Sequence, residues 1–170
     1  DNAIWRTNTY DVNSYDTSIG TGITSATIRP FLNKIMTARS RGRRHADLLL
    51  MSPEHYSAYD AATLTVQRIQ KEGGLAKLGF SSLEYVGGGK RAEIVLDGGI
   101  GSNMPANTTY GLDTDSLRVR FNPSRNFSKL FEGDGQKPIN QDAIAQFIGW
   151  MGEMTMTNPL FNWRMYDSSP

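Results

Sequence analysis

The chain has 170 residues, 38% hydrophobic and 21% charged, with a net charge of +1. This suits one globular domain, and the near-neutral charge excludes a strongly basic nucleic-acid coat as the main design. With no cysteine and only two histidines, disulfide frameworks, cysteine-ligated zinc and thiol nucleophiles are excluded as well.

No run approaches the ~20 apolar residues of a membrane helix, and the start lacks the basic and apolar regions of a signal peptide. The first segment, IWRTNTYDVN, mixes β-formers with polar residues and predicts a short strand. SYDTSIGTGITS is rich in Ser, Thr and Gly and predicts a loop. Ile28, Phe31, Leu32 and Ile35 then follow the i, i+3, i+4, i+7 spacing of a helix, with Thr24 or Ser25 as cap and Pro30 in its first turn. It is expected to end near Arg41-Gly42, with cations in its last turn.

ADLLLM predicts a buried strand. Ser52 as cap, Pro53 as first helical residue and Glu54 in the first turn begin a second helix. Tyr56, Tyr59, Val66 and Ile69 continue its spacing to a stop at Gly73-Gly74. SSLEYVGGGKRAEIVLDGG predicts two strands around a Gly-rich turn, and TTYGLDTDSLRVRF two more around Asp113-Thr114-Asp115. AIAQFIGWMGEMTMT predicts one long strand, partly covered on both sides; after a turn at Thr157-Asn158-Pro159, LFNWRMY returns as another. Two helices followed by many strands, without βαβ alternation, predict an α+β fold.

The candidate chemistry is sparse. Glu54 and His55 are adjacent, and neighbours on a helix do not face each other. A helical zinc motif needs two His at i and i+4, but position 59 is Tyr and position 51 is Met. YVGGGKRA fails the phosphate-loop pattern, because Glu84 stands at the first Gly position and Arg91 follows Lys90. Asp113 and Asp115 lead into Ser116-Leu117-Arg118 instead of further calcium ligands, which favours a polar hairpin turn. No nucleophile elbow or triad can be assembled. Arg39, Arg41, Arg43 and Arg44 exceed what capping requires, and are candidates for contacts with a neighbouring subunit or with phosphates. No cofactor, metal or catalytic residue is expected, which favours a structural or binding protein over an enzyme.

The segments IWRTNTYD, RRHADLLLMSPEHYSAYDA, LGFSSLEYVGG, AEIVLDGGIGSNMPANTTYGLDTDSLRVR and QDAIAQFIGWMGEMTMTNPLFNWRMYD occur in this order. Together they resemble the later part of a tailed-bacteriophage major capsid protein, a fold shared with encapsulins. The resemblance implies the α+β capsid fold: an entry strand and loop from the peripheral region in residues 1–23, an axial domain in 24–139, and peripheral return strands in 140–170. The chain departs from the family in offering no candidate for its N-terminal arm, extended loop or spine helix, and the sequence assigns no crosslinking role to Asn158 or Asn162.

The implied function is a non-enzymatic coat protein that self-assembles as pentamers and hexamers into an icosahedral head around double-stranded DNA. Contact with DNA would be weak and unspecific, with no membrane partner. Such a protein would be made in the bacterial host cytoplasm and reside in the virion. The alternatives are an encapsulin-like compartment shell and, further off, a small α+β hydrolase using His55 with Glu54.

Overall fold

The computed structural model describes residues 8–63, 83–130 and 146–168. They belong to two units, Asp1–Ser116 with Asn158–Pro170, and Leu117–Thr157. The elements in chain order are β1 (Thr9–Asp11), the single turn α1 (Val12–Tyr15), α2 (Ile28–Ala38), β2 (Leu48–Met51), α3 (Pro53–Thr63), β3 (Leu83–Gly87), β4 (Lys90–Leu96), β5 (Thr108–Leu112), β6 (Leu117–Phe121), β7 (Ser128–Lys129), β8 (Ile148–Gly149), β9 (Gly152–Met156) and β10 (Trp163–Tyr166). A mixed sheet with few helices makes the chain α+β, as expected.

The first unit is a six-stranded sheet in the order β1-β10-β5-β2-β4-β3, with β1 parallel to β10, β2 parallel to β4, and the other pairs antiparallel. Its register puts one set of buried residues side by side across the strands: Met165 beside Thr109, Thr109 beside Met51, Leu49 beside Ile94, and Ile94 beside Leu83. Side chains alternate between faces along a strand, so these share one face. The α2 stripe of Ile28, Phe31, Leu32, Ile35 and Met36 is buried in the same core cluster. Full burial of each such side chain stabilises by about 1.5–3 kcal/mol.

Polar groups fix how the helices lie against the sheet. Tyr59 of α3 donates to the Glu84 carbonyl (3.3 Å), and Tyr85 donates to Asn33 Oδ1 of α2 (2.5 Å). Burial drives the Tyr85 hydroxyl up to about 12, so it stays a donor at any ordinary pH. The close of the sheet is polar too. Buried Asn162 accepts the Asp113 N–H (2.8 Å) and donates to the Ser116 hydroxyl (2.8 Å) and the Asn158 carbonyl (2.9 Å), while Asn8 donates to the Asn162 carbonyl (2.9 Å).

Several expected boundaries move, each for a local reason. The first strand stops at Asp11, because the Asp11 side chain accepts the Asn13 N–H and caps a helical turn. Helix α2 ends at Ala38, so its last turn carries no cation and the arginines begin at the C-cap residue, Arg39. The Ser52 hydroxyl accepts the Thr108 N–H (3.3 Å), tying α3 to β5. The expected continuation of α3 through Val66 and Ile69 to Gly73-Gly74 lies outside the described residues. The β3–β4 hairpin forms as expected, with Gly88 and Gly89 at φ +58° and +73°, the two positive angles a primed two-residue turn requires.

The strands on either side of Asp113-Thr114-Asp115 do not form a hairpin. Strand β5 pairs with β2 and β10, β6 pairs with β9 in the second unit, and a 3-10 turn over Thr114–Ser116 separates them. Asp113 is buried instead of lying in a solvated turn.

The second unit holds two antiparallel ribbons, β6 with β9 and β7 with β8. The expected long strand is broken at Trp150-Met151, where the Met151 N–H donates to the Arg125 carbonyl and its carbonyl accepts the Asn122 N–H. Nor is it covered on both sides, since Phe147, Ile148, Trp150, Met151, Met154 and Met156 are all exposed.

Candidate functional site

Two surfaces stand out, one on each unit. The first begins at the arginine cluster, which the structure divides in two. Arg39 donates to the Tyr10 hydroxyl, with its guanidinium 5.4 Å from that ring's centroid. Arg44 pairs with the buried carboxylate of Asp113 (2.9 Å) and stacks 5.5 Å from the centre of Phe161. Both hold the first unit together.

Arg41 and Arg43 are exposed and make no ion pair with a described carboxylate. They sit on a tight turn closed by reciprocal backbone bonds between Arg41 and Arg44 (3.0 and 3.1 Å). Gly42 at its tip has φ +62°. The β3–β4 turn meets this loop. The Lys90 ammonium donates to the Gly42 carbonyl (2.6 Å), and His45 spans the gap, with Nδ1 3.0 Å from the Arg43 carbonyl and Nε2 2.9 Å from the Arg91 carbonyl. Two loops almost fifty residues apart in sequence thus meet, with Arg41, Arg43 and Lys90 at the junction. Sequence spacing hid Lys90, Arg91 and His45, because a long-range clasp leaves no local periodicity to read.

Glu54 and His55 diverge. Glu54 accepts the Asn107 N–H (3.3 Å) from an exposed position, and the Ser52 hydroxyl, more than any other group, holds its carboxyl below the usual range. His55 turns inward, 1% exposed, with Nδ1 2.8 Å from the Thr109 hydroxyl. Burial pushes its pKa down to about 4. The neutral imidazole is a core polar group aimed at β5, and the pair does not converge on any shared point. Among the described residues, no three acidic or imidazole side chains converge as a metal site, and no helix is long and apolar enough to cross a membrane.

The second surface is the β6–β9 ribbon. Its register pairs Leu117 with Met156, Val119 with Met154, and Phe121 with Gly152. All of these lie on one face, while Arg118, Arg120, Glu153 and Thr155 lie on the other. The Trp150 ring fills the space where a Gly152 side chain would stand, which extends the apolar row, and Phe127 packs 6.5 Å from Trp150. Val119, Phe121, Phe127, Trp150, Met154 and Met156 are all exposed. The sequence carried half of this signal, in the alternation of Leu117-Arg118-Val119-Arg120-Phe121 and of Gly152-Glu153-Met154-Thr155-Met156. It could not show that the two segments pair with their apolar sides left bare.

No protein-family model matches the chain, and a search of curated proteins finds no significant match.

Proposed function

We propose that the chain is a shell-building structural subunit of the tailed-phage capsid class, which associates with copies of itself as pentamers and hexamers around double-stranded DNA. One observation carries the reading: the β6–β9 ribbon leaves an unbroken apolar face in water. A two-stranded ribbon is marginal in water without a packed face. Six large side chains there, each about half exposed, offer on the order of 600 Å², using 150–250 Å² for an aromatic side chain. That is at the top of the range for the largest apolar patch on a typical monomer, and it approaches the ~800 Å² per partner of a standard interface.

The resemblance of the segment order supplies the class, and the α+β fold agrees with it. The division of labour among the arginines also suits a subunit: Arg39 and Arg44 stabilise the fold, while Arg41 and Arg43 remain for contacts outside it. Electron microscopy of the product expressed from its complete gene tests the proposal. Closed shells are expected, and a monodisperse monomer at high protein concentration overturns it. Particles filled with a protein cargo and no DNA would transfer the reading to a compartment shell.

A further inference from the structure

We propose that the turn at 41–45 and the β3–β4 turn form one site for a nucleic-acid phosphate backbone, and that His45 takes up a proton as the backbone binds. The inference rests on the nucleic-acid contact in the reading above and assigns it to particular residues. Binding is measured on the unassembled chain, so failure to build shells and failure of this site are read separately.

The cations come first. Arg41, Arg43 and Lys90 carry three positive charges with no ion pair to a described carboxylate. They are concentrated at one place in a chain whose net charge is only +1. Guanidinium forks suit phosphate oxygens, and several held together raise the local counter-ion concentration.

The ground between them is bare backbone. A side-chain carbon placed at Gly42 or Gly89 would meet nothing within 4 Å, and one at Gly88 would meet only the Thr37 hydroxyl at 3.4 Å. Small-molecule sites are concave and enclosed. An open cationic surface instead fits an extended polyanion whose charges recur along its length.

His45 ties binding to the proton. Both of its ring nitrogens face carbonyl oxygens, and carbonyls only accept. A neutral imidazole has a single N–H and leaves one carbonyl facing a lone pair, whereas the imidazolium donates to both. The charged groups along the segments packed here are Arg41, Arg43, Arg44 and Asp47 on its own strand of chain, Lys90, Arg91 and Glu93 on β4, and Asp113 and Asp115 at the 3-10 turn. Arg44 is neutralised by Asp113, and Asp47 is engaged with the backbone and hydroxyl of Thr114. A phosphate backbone laid on the remaining cations brings negative charge beside the ring and favours the imidazolium that donates to both carbonyls, and the proton comes from solvent. By linkage, each event then favours the other.

The test is fluorescence anisotropy with a labelled DNA duplex of mixed sequence, from pH 8 to pH 6 and over a range of salt. Affinity is expected to rise several-fold as pH falls, with a log–log salt slope of about −3 for three phosphate contacts. Arg41→Gln with Arg43→Gln should weaken binding at least tenfold, and Arg125→Gln in the second unit should leave it unchanged. His45→Gln should keep the salt slope and lose the pH dependence. In an NMR titration at fixed pH, adding duplex should move the His45 ring signals toward the protonated form. Absence of binding at 50 mM salt, binding indifferent to Arg41 and Arg43, or a His45 ring unmoved by duplex each overturns the proposal. Displacement by polyglutamate as readily as by inorganic polyphosphate would also overturn it, since the site would then read charge and not phosphate.

Discussion

His55 Nδ1 lies 2.8 Å from the Thr109 hydroxyl, and the Nε2 on the far side of its ring is buried without a hydrogen-bond partner. This joint fastens α3 to β5, and it suits a neutral imidazole because the far nitrogen has no partner. Protonation would place a charge, and an N–H with no acceptor, in the core. Burial sets its pKa at about 4, against the opposing pull of Asp167 and Glu54.

Stability against pH follows from that shift. The folded pKa lies below the unfolded value of about 6.5, so the unfolded chain binds more protons between the two. Stability is full above about pH 6.5 and is lost as pH falls toward 4, by up to about 3 kcal/mol. Urea midpoints at pH 7 and pH 4 measure it. The wild type should lose more stability over that interval than His55→Gln, and equal losses would contradict the assignment.

The divided arginine cluster makes a prediction of its own. Arg44→Ala leaves the buried Asp113 carboxylate without its cation, at a cost of about 1–2 kcal/mol for a pair exposed on one side. Arg43→Ala removes an exposed side chain and should change stability by less than about 0.5 kcal/mol. Denaturant titrations of both variants check the contrast, and equal effects would contradict the division.

Trp163 sets a third. Its indole occupies the space where a side chain on Gly111 would stand. The two residues are direct neighbours on β10 and β5. Gly111→Ala must displace a ring that is 3% exposed, and overpacking of this kind costs about 1–3 kcal/mol. Thermal unfolding followed by tryptophan fluorescence should show a lowered midpoint and an altered Trp163 environment. An unchanged midpoint would mean that the ring has room to move.

The sequence made local features plain where one physical rule decided them. The α2 stripe, the Gly88-Gly89 turn and the Pro53 start of α3 each follow from spacing or backbone geometry. What stayed hidden was pairing across distance. Nothing near Asp113 distinguishes a hairpin from a passage between two sheets, because that choice is made by β10 and β9, forty and more residues away. The surroundings of the candidate site were hidden in the same way. Four arginines were visible as a run, but their roles depend on Tyr10, Asp113 and Phe161 on one side and on Lys90 and Arg91 on the other. Helix geometry already set His55 apart from Glu54, but its partner, Thr109, lies fifty-four positions downstream and left no local signal.

The account turns on what covers the ribbon. The chain contains no cysteine, so Met154→Cys introduces a unique thiol on the apolar face, and Arg118→Cys introduces one on the polar face. The decisive measurement is the rate at which a thiol reagent labels each variant in assembled particles and after their dissociation. If copies associate through the apolar face, position 154 is slow to label in particles and fast after dissociation, while position 118 changes little. Equal labelling of position 154 in both states would contradict the account.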